Sequence, residues 1–232
     1  MSAQLPLALQ LREGNDLSNF LSGPNGAALA GVREVVLGAD RQAFIWGGEQ
    51  QGKSHLLEGA VRLAQQQGMD ACLLPASELL PLVPAVLEAM EQFDLLALDD
   101  CQRFAGDPAW EEALFHLYNR LMAQGGHLLV TANASPTATG LLLPDLATRL
   151  AAGPVYRLAP LADDDLQKML QERARARGLR IEQDVAHYIV LRSERSPGAL
   201  MALLDRLDRM ALAQQRPVTI PFVKDALGGE KG

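Results

Sequence analysis

The chain has 232 residues, of which 48% are hydrophobic and 21% charged, and its formal net charge is −7. These values predict a globular protein with a substantial core, either one large domain or one domain with a small second one. The acidic balance argues against broad non-specific DNA binding, which needs clustered Lys and Arg. No apolar run approaches the ~20 residues that cross a bilayer, and the N-terminus lacks a secretory signal, so no membrane association is expected.

The cysteines and histidines suggest no metal or redox site. Cys72 and Cys101 are far apart in sequence and fit no ligand or redox spacing, which predicts a reduced, cytosolic setting. The four histidines also lack ligand spacing, so ordinary polar roles are expected for them.

Alternating strands and helices dominate the chain from Ala43 to Pro160. Residues 1–14 are interpreted as a flexible arm, because Pro6 and Gly14 interrupt its apolar positions. Strands are predicted at AFIWG, ACLLP, DLLALDD, HLLVTAN and VYRLAP. Helices are predicted at KSHLLEGAVRLAQQQG, at 77–90 with a start interrupted by proline, and after Asp107. Strands separated by helices predict a parallel sheet covered on both faces, and hence an α/β fold.

After Pro160 the pattern becomes helical. Asp163 can cap a helix that runs to Arg177, and further helices fit 182–192, 197–214 and a short segment after Thr219. No strand is needed there. We therefore expect an arm at 1–14, an α/β domain at 15–160 and a small helical domain at 161–232.

A phosphate-binding motif follows the first strand. Gly47, Gly52, Lys53 and Ser54 complete the pattern G-x-x-x-x-G-K-[ST] between a predicted strand and a predicted helix. The glycines let backbone N–H groups surround phosphates, the lysine adds positive charge, and the serine hydroxyl is a ligand for Mg²⁺. A chance glycine-rich turn is the alternative, and it does not explain the lysine and serine. Gly48 and His55 are assigned to the same nucleotide site.

Two acids end the third predicted strand. Asp99 is expected to organise Mg²⁺ beside the phosphate-binding loop. Asp100 stands where hydrolysing relatives carry Glu, and its side chain is one methylene shorter. We therefore expect weak hydrolysis of the chain's own nucleotide, although Asp100 can also be a strand-end acid without a role.

The Walker A motif, the acids after LLAL, and the segment LLVTAN occur in the order found in AAA+ ATPases, and a helical tail follows them. The chain therefore resembles the AAA+ superfamily, which implies a P-loop α/β domain followed by an all-helical lid domain. The resemblance places Asn133 at the sensor-one position, beside the γ-phosphate. Thr131 is a weaker candidate, and a simple turn-forming role for Asn133 is the alternative.

Three segments narrow the resemblance to DnaA-like proteins. DLSNFLSGPNGAAL resembles the entry segment of the bacterial initiator, and LPDLATRL and LDRLDRMALAQQRPVTIPFVKDAL resemble the Hda family of DnaA-related regulators. The resemblance covers nearly the whole chain, from Gln4 to Leu227. It implies that Phe20 and Leu21 of the entry segment contribute to nucleotide binding.

The resemblance to the Hda family also implies a function. Such proteins bind ADP, dock on the DNA-loaded sliding clamp (the β subunit of DNA polymerase III), and stimulate hydrolysis of the ATP held by DnaA, which prevents re-initiation of replication. The cofactors would be ADP or ATP with Mg²⁺. DNA would be contacted through the clamp, the chain would form a homodimer, and it would be cytoplasmic and associated with the nucleoid.

Two segments would carry this function. Gln4, Leu7 and Leu9 fit the Gln-x-x-Leu-x-Leu pattern of clamp-binding peptides, with Leu5 between them, although a tail packed on its own domain is the alternative. Arg149 in LPDLATRL matches the arginine-finger position, where a guanidinium can stabilise a transferring phosphoryl group. A surface salt bridge is the alternative for Arg149.

The second half departs from the AAA+ pattern at one position. Gly198 stands where relatives carry a lid arginine that points at the phosphates, and Arg195 could substitute for it. A basic cluster nearby is interpreted as a solvated face, or as a contact for DNA or the initiator. The cluster comprises Arg173, Arg175, Arg177 and Arg180.

Two other functions remain open from the sequence. One is an autonomous AAA+ ATPase that loads or remodels complexes on DNA. The other is a DNA-binding module that uses the lid arginines, which the acidic balance disfavours.

Overall fold

The computed structural model describes residues 15–228, which form two compact units. The first runs to Ala159 without Gln50–Gly52, and the second combines Gln50–Gly52 with the residues from Pro160 onward. No helix within 15–228 has the length and apolarity needed to span a membrane. The predicted clamp-binding residues, Gln4, Leu5, Leu7 and Leu9, lie outside the described part.

The first unit is built on a five-stranded parallel sheet, as predicted. Its strands are β1 (Gln42–Trp46), β2 (Ala71–Pro75), β3 (Leu95–Asp99), β4 (His127–Ala132) and β5 (Val155–Arg157). Their spatial order is β2-β3-β4-β1-β5, with every pairing parallel. Every residue of β3 is buried, which explains its uninterrupted apolar sequence. Parallel strands bring the loops after β1, β3 and β4 to one edge of the sheet.

Within its described residues this unit has five α-helices: α1 (Gly26–Val36), α2 (Lys53–Gln66), α3 (Ala76–Leu79), α4 (Pro108–Gln124) and α5 (Pro144–Leu150). The predicted start of α4 is confirmed, because the Asp107 side chain accepts hydrogen bonds from the N–H groups of Ala109 and Trp110. The predicted end of α2 is also confirmed, since Gly68 follows it with a φ of 79°.

The prediction that 77–90 is helical after a proline-interrupted start is wrong for most of the segment. The α-helix α3 ends at Leu79, and only two short 3₁₀ turns follow, at Pro84–Leu87 and Met90–Gln92. Val83 is extended, with φ −101° and ψ 149°, as expected for a residue that precedes proline. The prolines therefore override the helical pattern of the apolar residues.

Separate apolar clusters cover the two faces of the sheet. Successive residues of β1 point to opposite faces, so Phe44 packs in the cluster that contains α4 and α5, and Ile45 packs in the cluster that contains α1 and α2. Both side chains are buried. The core thus fixes α5 on one face and α2 on the other.

The described residues of the second unit form helices joined by loops, with no strand among them, as predicted. It contains α6 (Asp163–Ala176), α7 (Gln183–Arg192), α8 (Pro197–Gln214) and α9 (Ile220–Gly228). The prediction that Asp163 caps α6 is wrong, because the N-cap is Ala162 and no side chain caps the helix. Asp163 instead begins a first turn with three acidic residues, where negative charge favours the helix dipole.

Candidate functional site

The predicted phosphate-binding loop joins β1 to α2. The Gly47 N–H donates to the Ala132 carbonyl oxygen at 3.2 Å, which ties the start of the loop to β4. The Lys53 ammonium donates to the carbonyl oxygens of Gly47 at 3.2 Å and Gly48 at 2.8 Å. Gly52 has a φ of 94°, a conformation that glycine adopts readily. The loop therefore curls around the lysine side chain.

These features fit a phosphate group. Lys53 is only 6% exposed, and its two hydrogen-bond partners in the described chain are neutral carbonyls. A buried cation is stabilised when an anion pairs with it. Because α2 begins at Lys53, backbone N–H groups and the positive end of the helix dipole lie at the same place.

A hydrogen-bonded cluster connects the start of α2 to the ends of β3 and β4. The Ser54 hydroxyl donates to Asp99 Oδ2 at 2.6 Å, and the Thr131 hydroxyl donates to Asp99 Oδ1. Hydroxyl and carboxylate oxygens suit Mg²⁺, which takes few protein ligands and completes its shell with phosphates and water. No group of three His, Cys, Asp or Glu side chains within 15–228 could hold a metal ion without such help.

Thr131 has a more central position than the sequence indicated. Besides its bond to Asp99, its hydroxyl oxygen accepts the Asp100 N–H at 3.0 Å, and its side chain is fully buried. Asn133, the preferred sensor-one candidate, is exposed and follows the last residue of β4. Its backbone N–H donates to Gln102 Oε1 at 3.2 Å. The sensor role of the Asn133 side chain stays a prediction.

The Asp100 carboxylate is contacted by two side chains that follow it in sequence, Gln102 and Arg103. Asp100 has left-handed backbone angles, with φ 59° and ψ 49°. Gln102 Nε2 donates to Asp100 Oδ1 at 3.2 Å, and Arg103 Nε lies 3.9 Å from Oδ2. The sequence reading missed Gln102, which contacts both the Asp100 side chain and the Asn133 backbone.

The entry segment packs along α2. His55 Nε2 lies 3.0 Å from the Asp16 carbonyl oxygen and 3.0 Å from Asn19 Oδ1. The Phe20 ring meets the His55 ring edge to face at 5.4 Å, and Leu21 follows as a half-buried residue. A hydrogen bond from the Ser18 N–H holds the pKa of the Asp16 carboxyl below its ordinary value. The segment thus has a defined conformation beside the start of α2.

The two lid residues predicted to contact nucleotide lie at the start of α8. The Gly198 N–H donates to the Gln50 carbonyl oxygen at 3.2 Å, and a Cβ at 198 would lie 2.9 Å from Gln50 Cβ. This close approach gives a reason for glycine at 198. Arg195 Nη1 lies 3.6 Å from Asp163 Oδ2, on an exposed part of the surface. Nucleotide contact by either residue stays a prediction.

The lid arginines do not form one free basic surface. Arg177 pairs with Asp205, and Arg180 pairs with Glu182. Burial lowers the pKa of Arg173. These pairings favour the interpretation of a solvated, salt-bridged face.

Arg149 has a different environment. It lies in the last turn of α5 and is exposed. Its guanidinium carbon is 5.8 Å from the ring centroid of Phe115 and 5.8 Å from that of Tyr118, both on α4. No carboxylate of residues 15–228 forms an ion pair with it. The structure therefore presents an exposed positive charge supported by aromatic rings.

Two family models match the chain in sequence order. The model of the bacterial DnaA ATPase domain matches residues 83–157, and the model of the Hda lid domain matches residues 163–227. The first match contains the acids after β3 and the α5 segment, and the second covers nearly all of the helical unit.

Similar solved structures show the same fold. Domain III of the Thermotoga maritima replication initiation protein DnaA has a TM-score of 0.84 at 19% identity, with 95% of this chain and 98% of that chain covered. AMPPCP-bound DnaA from Aquifex aeolicus has a TM-score of 0.73 at 21% identity, over 88% and 67% of the two chains. A RuvB variant from Thermotoga maritima has a TM-score of 0.72 at 18% identity, over 94% and 73%.

Together, the parallel sheet, the helices of the second unit and the similar structures confirm the expected architecture. Residues 83–157 are similar to the ATPase domain of bacterial DnaA, residues 163–227 are similar to the Hda lid domain, and the fold is that of DnaA domain III.

Proposed function

We propose that this chain is a negative regulator of the initiator DnaA. In this hypothesis it presents Arg149 to the ATP held by DnaA and stimulates hydrolysis of that ATP, which prevents re-initiation of replication. The chain itself would hold ADP with Mg²⁺. Residues 4–9 would dock it on the DNA-loaded sliding clamp, the β subunit of DNA polymerase III.

The environment of Arg149 carries this proposal. Its guanidinium is exposed, lies over two aromatic rings and forms no ion pair with a carboxylate of residues 15–228. A guanidinium in this state can approach a phosphoryl group on another protein without first breaking a salt bridge. An arginine supplied across an interface stabilises the charge that develops in phosphoryl transfer and can raise the rate by about 10³–10⁵.

The region around Asp100 supports a role in holding nucleotide more than in hydrolysing it. The carboxylate is shorter than the glutamate of hydrolysing relatives, and Gln102 and Arg103 already engage its two oxygens. These contacts leave fewer acceptor positions of the carboxylate for an attacking water. We therefore expect weak or absent ATPase activity of the chain itself.

Lys53, Ser54 and Asp99 would hold the nucleotide. Lys53 would balance phosphate charge, and Ser54 and Asp99 would supply oxygen ligands to Mg²⁺. The bound ion would supply positive charge to the phosphates. The residues of the chain only bind and orient in this scheme, and the reaction takes place on the nucleotide of the partner.

The proposed partners define the expected location and assembly. Contact with DNA would be indirect, through the clamp, so the protein would be found in the bacterial cytoplasm near the nucleoid. A homodimer is also expected, because dimers are common among AAA+ proteins.

The central experiment follows radiolabelled ATP that is pre-bound to purified DnaA. The sample is mixed with this chain, ADP and DNA-loaded clamp, and an Arg149→Ala variant is tested in parallel. We expect rapid conversion to ADP with the wild-type chain only. Equal conversion by the variant would contradict the proposal.

The intact set of Lys53, Ser54 and Asp99 also suits an autonomous AAA+ ATPase, such as a DNA-loading or remodelling motor. Steady turnover of free ATP by this chain alone, abolished by Asp100→Asn, would favour that function and reject the regulator.

The clamp tether needs its own test. Gln4→Ala should abolish binding to the clamp and leave ADP affinity unchanged, because residues 4–9 are separate in sequence from the phosphate-binding loop. Clamp binding by surface plasmon resonance would measure the first and calorimetry the second. Unchanged clamp affinity would reject the tether without rejecting the role of Arg149.

A further inference from the structure

The helix that carries Arg149 is too short to hold a side chain in place by itself. The α5 helix has seven residues, and isolated helices shorter than ~12–15 residues are marginal in water. The direction of Arg149 in its last turn must therefore be set by contacts with the rest of the unit.

A buried carboxylate fastens the start of α5. Glu111 on α4 is 1% exposed. Its Oε1 accepts the N–H of Leu142 at 3.0 Å and that of Gly106 at 2.9 Å, and its Oε2 accepts the N–H of Leu143 at 2.7 Å. Leu143 is the N-cap residue of α5. Three backbone donors thus stabilise the buried charge and tie the beginning of the helix to α4.

A buried amide fastens the end of α5. Gln42 on β1 is 7% exposed, and its Nε2 donates to the carbonyl oxygen of Arg149 at 2.9 Å. Its Oε1 accepts the Tyr118 hydroxyl at 2.7 Å. Gly153 packs directly on Gln42, since a Cβ at 153 would lie 2.5 Å from Gln42 Cγ. The backbone of Arg149 is therefore connected through Gln42 to α4.

Tyr118 acts on Arg149 in two ways. Its hydroxyl orients Gln42, which holds the Arg149 backbone, and its ring lies 5.8 Å from the guanidinium carbon. The ring of Tyr118 is 8% exposed, so it offers a fixed surface. Phe115 supplies the second ring.

We propose that Glu111, Gln42 and Tyr118 are positioning residues that aim Arg149 before the partner binds. This inference rests on the function proposed above and deepens it, because it names the residues that set the geometry of the finger. Fixing the guanidinium in advance lowers the conformational entropy lost at the interface. Catalysis is sensitive to such placement, and an error of about 1 Å can cost about 10²-fold in rate.

The first test measures the positioning itself. The Arg149 Nε–H signal is identified by its loss from the ¹⁵N NMR spectrum of Arg149→Lys, and its order parameter is compared between wild type, Tyr118→Phe and Tyr118→Leu. We expect a small decrease in Tyr118→Phe, which keeps the ring, and a larger decrease in Tyr118→Leu. An unchanged order parameter in Tyr118→Leu would overturn the proposal.

The second test measures stimulated hydrolysis of DnaA-bound ATP. Glu111→Gln, Gln42→Met and Tyr118→Leu should each lower the maximal rate about tenfold, because the guanidinium samples unproductive directions. The concentration of regulator that gives half the maximal rate should change less than about twofold, since none of these buried residues provides the surface for the partner. A change confined to that concentration would overturn the positioning role.

A matched variant separates positioning from general stability. Tyr156 belongs to the cluster on the other face of the sheet, and burial raises the pKa of its phenol as it does for Tyr118. Tyr156→Phe should therefore leave the maximal rate unchanged, whereas Tyr118→Phe should lower it. Equal losses in the two variants would overturn the inference. If Glu111→Gln does not fold, the Gln42 and Tyr118 variants still decide the matter.

The Arg149→Ala variant distinguishes failure of the proposed function from failure of the positioning inference. If it has no effect on hydrolysis, the proposed function fails and the positioning inference fails with it. If it abolishes hydrolysis while the Glu111, Gln42 and Tyr118 variants retain the full rate, only the positioning inference is overturned.

Discussion

Two ends of the first unit differ in which polar groups they bury. The nucleotide end surrounds the predicted phosphate-binding loop, and the arginine end surrounds Arg149. At the nucleotide end, Lys53, Ser54 and Asp99 bond to neighbours in the same chain, and Lys53 and Asp99 are buried. At the arginine end, buried polar side chains support a charged group that is itself exposed. Glu111 and Gln42 are buried and satisfied, but the guanidinium that they support is exposed.

This difference suggests a distinction between residues that maintain the fold and residues that are proposed to act on a partner. A buried polar group is costly to leave without a hydrogen bond, so its loss is measured mainly as stability. An exposed guanidinium over aromatic rings contributes little to stability. Its loss should be measured mainly in the reaction with another molecule. The four predictions below test this distinction, beginning with the largest effect.

Arg149→Ala should lower stimulated hydrolysis of DnaA-bound ATP by about 10³-fold or more. The free energy of unfolding should change by less than about 1 kcal/mol, because the guanidinium is exposed. Single-turnover hydrolysis and urea denaturation measure the two quantities. A large loss of stability with little loss of hydrolysis would contradict this prediction.

Asn25→Ala should instead lower mainly the free energy of unfolding. Asn25 is 4% exposed, its Nδ2 donates to the Ala159 carbonyl at 3.0 Å and its Oδ1 accepts the Ala159 N–H at 2.7 Å. Removing the amide leaves two backbone groups without partners, which should cost about 2–4 kcal/mol of unfolding free energy. Denaturation in urea measures this cost. The exposed Asn133 provides the control, and a similar cost for Asn133→Ala would show that burial is not the cause.

Lys53→Ala should lower ADP affinity about 10- to 100-fold. This range corresponds to the loss of charged hydrogen bonds worth about 1.5–3 kcal/mol. Calorimetric titration with ADP measures the effect. Lys168→Ala removes an exposed lysine of α6 and should leave the affinity unchanged. Unaltered ADP binding in the Lys53 variant would show that the loop does not bind phosphate.

Asp16→Asn should have the smallest effect, about 0.5 kcal/mol at neutral pH, because the residue is only half-buried. The hydrogen bond from Ser18 lowers the pKa of the folded carboxyl below its ordinary value of 3.8. Its contribution is therefore present above that value and is lost as the pH falls through the folded pKa. Urea denaturation over a series of pH values should show a difference between wild type and variant at pH 7 that disappears as the pH falls through the folded pKa.

Several features of the fold could be predicted because they depend on neighbours in sequence. The apolar strand, the glycine spacing, Lys53 and Ser54 all occur within about ten residues, so their pattern predicts strand, loop and helix together. The cap at Asp107 is local in the same sense. The segment 77–90 was predicted wrongly because its apolar residues suit a helix, whereas Pro81 and Pro84 exclude a continuous one.

The support of Arg149 could not be predicted in this way. Gln42 and Arg149 are 107 residues apart, and Gln42 and Tyr118 are 76 apart. Glu111 lies in an amphipathic helix, and nothing in its neighbouring sequence indicates that its carboxylate is buried with three backbone donors. No local spacing indicates such contacts, because they form only when α4 and α5 pack on the sheet that contains β1.

By itself, then, the sequence determined the order of strands and helices, the strand, loop and helix that carry the predicted phosphate-binding motif, and the resemblance to DnaA-like proteins, since these depend on periodicity and short motifs. The tertiary structure decided which polar groups are buried, that Thr131 joins Asp99, and that Arg149 lies on two rings. The physical reason is that burial and hydrogen-bond partners belong to pairs of distant residues, and only the packed sheet brings those pairs together.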